Sequence, residues 1–303
     1  MREAKNLLFA GIVNPYTKWA LIGVAALLIT IIFIVISIQF APDFSESETI
    51  KQLVTDFNLT DFLMFALVGF LAQIVDGALG MAYGISSTTF LLSLGLPPAS
   101  ASASVHAAEV VTSGASGLSH LKFKNVNKKL FRSLVIPGVI GAVIGAYFLS
   151  SIDGKEIKPY IAAYLMIMGL VVIYKALQKN ILKTKTKNIG PLALFGGLVD
   201  AIGGGGWGPV VVSNLLSKGR NPRYTIGSVN LAEFFIALAG ASTFTFMLGI
   251  DNWIVVVGLM AGGVFASPFA AYLCQKVNNR TLMLIVGFVI IFLSLRTIML
   301  SIN

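Results

Sequence analysis

The chain has 303 residues, 56% of them hydrophobic and 12% charged, with a mean hydropathy of +0.85 and a formal net charge of +9. That balance excludes a soluble globular protein and leaves no room for a sizeable soluble domain. The basic residues stand in clusters between apolar runs, which reads as membrane topology rather than a nucleic-acid face; one cysteine, Cys274, and two histidines leave neither an internal disulfide nor a conventional Cys/His metal cluster.

The first apolar run, 19–40, is longer than a signal-peptide core, lacks a convincing A-x-A cleavage site and is predicted to stay as an anchor helix. The acidic stretch DFSESET (43–49) follows it. Further crossings are predicted at 99–121, 132–150, 158–175, 224–247, 253–274 and 281–299, each close to the twenty apolar residues that span a bilayer as a helix. Two other apolar regions, 62–94 and 191–217, are interrupted by GALGMAYG (77–84) and GGGGWG (203–208), and each is predicted to form a pair of short or broken helices.

Cytoplasmic loops carry the excess of Lys and Arg. With the N-terminus inside, eighteen basic residues fall on the cytoplasmic side and four outside: Lys51, Lys155, Lys158 and Arg296. That assignment places the C-terminus outside and needs each broken region to enter and leave on one side, as a hairpin.

Residues 75–109 and 199–233 align without a gap at an offset of 124, with thirteen of 35 positions identical, among them Val75/Val199, Asp76/Asp200, Gly84/Gly208, Pro98/Pro222 and Glu109/Glu233. The chain is thus predicted to be an N-terminal segment (1–60) followed by two copies of one unit, 61–180 and 181–303. Each copy has an odd number of passages, so the copies are predicted to be inverted, the arrangement of many secondary transporters. The fold class is all-α: a polytopic transmembrane bundle of two inverted repeats with re-entrant hairpins and one extra N-terminal helix.

Four of thirteen acidic residues lie inside apolar segments: Asp76, Glu109, Asp200 and Glu233, the two repeat-related pairs. No Lys or Arg stands near them in sequence, and an ionised carboxylate in such surroundings needs a proton, water or a bound cation. Glu109 shares one helical face with Ser102, His106, Ser113, Ser116 and His120, a face too polar to meet lipid. Glu109 and Glu233, with His106, are read either as proton-coupling groups or as neutral packing acids. For Asp76 and Asp200 the stronger reading is structural, accepting hydrogen bonds from backbone N–H groups freed by the breaks.

The breaks expose backbone donors at the start of a half-helix, a route to anion binding without Lys or Arg. The substrate-binding candidates are Gly80, Tyr83, Gly84, Ser86, Ser87 and Thr88 in the first copy, and Gly204, Gly205, Gly206, Trp207, Gly208 and Asn230 in the second. Neither glycine run is followed by Lys-Ser/Thr, so a nucleotide loop is not expected. GASG (114–117) superficially matches an intramembrane serine protease, but both histidines sit on the serine's own helix.

The break V-D-x-x-G-x-x-x-[YW]-G, then L-L-S-x-G, a proline and S-V-x-x-A-E, each present in both copies, resembles the sulfite exporter TauE/SafE family, the toluene sulfonate uptake permeases, over 62–300. The resemblance implies a multi-pass permease of the bacterial inner membrane, not an enzyme. Its expected cargo is small sulfur-containing anions such as sulfite or organosulfonates, moved outward by alternating access. Its expected partners are the lipid bilayer and the anionic substrate, with no cofactor, metal or nucleic acid. A passive anion channel is the alternative, and the serine protease a remote one.

Overall fold

The computed structural model describes residues 58–79, 81–178, 188–249, 252–276 and 279–302. The predicted anchor helix 19–40, the stretch 43–49 and Gly80 lie outside these. The described elements are α1 (Leu59–Leu79), α2 (Tyr83–Ser93), α3 (Pro98–Lys122), α4 (Lys128–Ser150), α5 (Gly154–Leu177), α6 (Ile189–Gly203), a π-helical turn (Trp207–Val212) running into α7 (Ser213–Ser217), α8 (Pro222–Leu248), α9 (Trp253–Lys276) and α10 (Asn279–Ile302). Local chemistry explains several starts: Asn127 accepts from the backbone N–H groups of Lys129 and Leu130, Asp153 from Lys155, and Asn221 from Arg223 just ahead of Pro222 at the first helical position.

Five described helices are long and apolar enough to cross a membrane, over Leu59–Asp76, Lys128–Ser150, Gly154–Leu177, Arg223–Leu248 and Met283–Ser301. The fold differs from expectation at α1, a 21-residue helix rather than half of a short pair, because the glycine-dense segment begins only at Gly77. The predicted crossing 99–121 forms as the 25-residue α3 but is not among these five, since polar residues fill one of its faces. Apolar side chains such as Phe246, 89% exposed, ring the bundle where lipid would lie.

The four largest helix pairings are α1 with α9, α6 with α4, α10 with α5 and α8 with α3. The offset of 124 maps α1 onto α6, α3 onto α8, α4 onto α9 and α5 onto α10. The first two pairings are therefore one contact made twice with the copies exchanged, and the last two join each helix to its own counterpart. The copies interlock rather than sit side by side.

Glycine makes the exchanged contacts close: Gly69 lies against the Leu259 backbone, Gly262 against Ala66, Gly141 against Leu194 and Gly197 against Gly138. The counterpart pairs run antiparallel. Gly114 meets Phe234, Gly117 meets Leu231 and Gly240 meets His106; likewise Gly169 meets Ile290 and Gly287 meets Ile173. At one end of the bundle the 123–127 loop bonds to the start of α8, through Arg223 to Asn125 and through the Asn127 N–H to Ser228 Oγ at 2.8 Å. At another, Gly154 lies against Pro97 and Pro98.

Candidate functional site

The two chain breaks meet. A Cβ added to Gly84 would lie 2.7 Å from the Gly204 carbonyl oxygen and 2.9 Å from both Gly205 Cα and Glu109 Oε1, so glycine here is what allows backbone to reach backbone. Thr88 Oγ1 donates to the Gly204 carbonyl at 2.7 Å, tying α2 of the first copy to the break of the second. Gly204 has φ 63° and Ala82, at the first break, φ 137°; the latter is a strained conformation for a residue with a side chain.

Each aspartate holds its own break. Asp200 Oδ1 accepts from the N–H groups of Gly206 at 2.6 Å and Trp207 at 2.8 Å, and Asp76 Oδ1 accepts from Tyr83 N–H at 3.3 Å. The other oxygen of Asp200 faces His106 Nε2 at 3.4 Å. His106 is fully buried, and its Nδ1 lies 2.9 Å from the Ser102 carbonyl, which can only accept, so Nδ1 carries a hydrogen. If Nε2 were bare, its lone pair would point at a carboxylate oxygen. That contact is attractive only when a proton or another cation lies between the two atoms.

Glu109, 4% exposed, completes a set in which one donor atom each from His106, Glu109 and Asp200 lie within 4.8 Å of one another. One imidazole and two carboxylates can hold a cation. Cys/His spacing could not reveal this set, because α3 and α6 are joined only by the fold. Asp76 and Glu233 lie within electrostatic reach as well, so all four intramembrane acids share one neighbourhood. Lys175 and Arg296 bond backbone carbonyls instead: Lys175 Nζ donates to Pro209 O at 2.7 Å and Arg296 Nη1 to Ser93 O at 2.6 Å.

The remaining predicted residues divide. Ser86 and Ser87 are buried, and their hydroxyls have no hydrogen-bond partner among the described residues. A buried hydroxyl left unpaired costs about 1–3 kcal/mol, which a ligand oxygen would offset. Tyr83 Oη donates to Leu259 O at 3.2 Å; fully buried Trp207 has Nε1 3.4 Å from Val229 O; Gly208 abuts Met81. Asn230 donates to Ser116 Oγ at 2.9 Å, so its amide is turned along the α3 stripe. Of that stripe Ser102, His106, Glu109 and Ser113 are buried, and Ser102 Oγ bonds the Ala201 carbonyl across the copies at 2.6 Å.

Sequence reading missed Tyr164. Its ring lies against Gly203, its hydroxyl is buried without a partner among the described residues, and it feels the charge of Asp200. The available signal was asymmetry: the offset pairs Tyr164 with Phe288, an exposed apolar residue.

The family model described as sulfite exporter TauE/SafE matches residues 65–297. The chain is 48% identical over 246 residues to the probable membrane transporter protein YtnM of Bacillus subtilis (strain 168), covering 78% of this chain and 82% of that protein. It is 20% identical over 265 residues to the probable membrane transporter protein YunE of the same organism, covering 97% of that protein. No solved structure matches it. The chain belongs to the sulfite exporter TauE/SafE family of membrane transporters.

Proposed function

We propose that this TauE/SafE-family membrane transporter is a secondary permease that exports small sulfur-containing anions, sulfite or organosulfonates, by alternating access of two inverted copies, coupled to protons. The observation that carries the reading is the meeting of the breaks beside His106, Glu109 and Asp200. Inversion is supported by the antiparallel packing of α3 with α8 and of α5 with α10, since a two-fold axis lying in the membrane plane reverses each helix against its own counterpart. A seam between interlocked copies is where one half can rock against the other.

The anion binds at the opening of α2, where the Ser86 and Ser87 hydroxyls and the positive end of the helix dipole face it. Four neighbouring carboxylates would repel an anion. Protons supply the missing positive charge: one shared between His106 and Asp200, others on Glu109 and Glu233. With those protons loaded, three of the four carboxylates no longer repel the anion, and the remaining charge of Asp76 is held by the Tyr83 N–H of its break. Trp207, Tyr83 and Thr88 hold the breaks in register, and Asn230 holds α8 to α3 through Ser116. The N-terminus faces the cytoplasm and the C-terminus the exterior of a bacterial inner membrane.

The test is reconstitution with labelled sulfite or sulfoacetate under an imposed pH gradient. Accumulation driven by the gradient, lost in Glu109→Gln, supports the reading. Flux indifferent to the gradient removes the coupling, and flux that never concentrates the anion makes the protein a passive channel.

A further inference from the structure

Four basic residues violate the cytoplasmic bias of the others, and three of them converge in space. Lys155 and Lys158, in the first turns of α5, line a cavity of about 290 Å³ together with Leu92 and Ser93 at the end of α2 and Thr297 and Ser301 near the end of α10. Arg296 sits beside it and donates to the Ser93 carbonyl at 2.6 Å. The fourth exception, Lys51, lies outside the described residues. Basic residues on the outer side oppose the orientation signal, so their gathering at one cavity calls for a use.

The chemistry of the lining points to an anion. Among the described residues no carboxylate lines the cavity. Glu156, between the two lysines in sequence, is exposed and does not line the cavity, and Asp153 is occupied in capping α5 through the Lys155 N–H. The hydroxyls are also occupied: Ser93 donates to Phe90 O, Thr297 to Leu293 O and Ser301 to Thr297 O. The ammonium groups of Lys155 and Lys158 are left as the donors, three N–H each. Arg296 meanwhile neutralises the negative C-terminal end of α2, which would otherwise repel an anion arriving there.

Position supplies the rest. The C-terminal end of α2 borders the cavity, and its opening residues Ser86 and Ser87 are the buried, unpartnered hydroxyls of the central site. Seven residues of helix separate Ser86 from Ser93, about 10 Å of rise. An anion in the cavity is thus one short helix from the seam.

We propose that Lys155 and Lys158 form an outward-facing docking site for the transported small oxyanion, which receives it on export at the mouth of the pathway and binds it from outside when transport runs in reverse. The inference rests on the anion-permease reading and its orientation. Lysine ammoniums act as mobile point charges without the fixed fork of arginine, so the site gathers oxyanions with little regard to shape, and selection falls to the central hydroxyls. Steering of this kind acts on capture and weakens with ionic strength.

The test measures labelled sulfite entry from the outer face of right-side-out proteoliposomes, the reverse of export driven by an outward-to-inward sulfite gradient, in phosphatidylcholine alone and with added phosphatidylglycerol. The double variant Lys155→Gln/Lys158→Gln should raise the half-saturating outer sulfite concentration roughly tenfold, a change of about 1.4 kcal/mol. Maximal rate should change less than about twofold, and most of the wild-type salt dependence should vanish. Lys155→Arg/Lys158→Arg should retain wild-type behaviour, and inverted vesicles should show no shift. An unaltered half-saturation in the Gln variant overturns the proposal alone. So does an effect confined to phosphatidylglycerol vesicles, which would assign the lysines to lipid phosphate. Wild-type protein that neither moves nor binds sulfite overturns the permease reading together with it.

Discussion

His106 and Asn230 occupy the same position in the two copies, and their surroundings show how one unit used twice became two different half-sites. In the first, an imidazole faces a carboxylate from the opposite copy, buried Asp200, which is also pinned by two backbone N–H groups. In the second, the asparagine amide is taken up by Ser116, while Asp76 and Glu233 are only partly buried and the bond of Asp76 to Tyr83 N–H in its break is long, 3.3 Å. The equivalent of Ser102, which ties α3 to α6, is Ile226. Duplication thus supplied the scaffold, and divergence placed an imidazole facing a carboxylate in one half and a hydrogen-bonding amide in the other.

The largest effect should come from unpinning the buried half. Asp200→Ala strips two backbone N–H groups and His106 of their acceptor and should lower stability by about 3–5 kcal/mol. Asp76→Ala should cost about 1 kcal/mol. Chemical denaturation of the purified proteins reads both, and equal losses would erase the distinction.

Next in size is Gly205→Ala, which drives a methyl into the Gly84–Ile85 backbone; it should cost about 1–3 kcal/mol and broaden the size-exclusion profile. Its counterpart in the first copy is Met81, so the close approach is one-sided, and Met81→Ala should be milder.

His106→Asn makes the first half resemble the second. Sulfite flux should persist at a reduced rate while its response to an imposed pH gradient disappears, and a retained response would relocate the coupling to Glu109 and Glu233 alone. The smallest change is Lys175→Met, which removes the donor to Pro209 O and should lower the melting free energy by about 1 kcal/mol with coupling intact.

Much of this was legible in the residues. Hydropathy marked most of the helices, and the offset of 124 identified the duplicated unit and singled out Asp76, Glu109, Asp200 and Glu233, because an acid in an apolar run is costly wherever it packs. The α3 stripe announced its inward face by spacing alone. The length of α1 was misjudged because glycine density marks where a helix ends but not how far back it reaches. Tyr164 was passed over because a tyrosine in an apolar helix is unremarkable until its neighbours are known.

The sequence by itself determined a membrane protein with an internal duplication, the positions of the breaks and the acids that lie inside apolar runs, since composition and self-similarity are properties of the chain. Only the tertiary structure decided that α1 pairs with α9 and α4 with α6, so that the copies exchange partners, and that Asp200 faces His106 rather than a residue of its own copy. The reason is physical: periodicity fixes which face of a helix is buried, whereas the identity of the opposing face follows from glycine-to-backbone contacts between segments more than fifty residues apart.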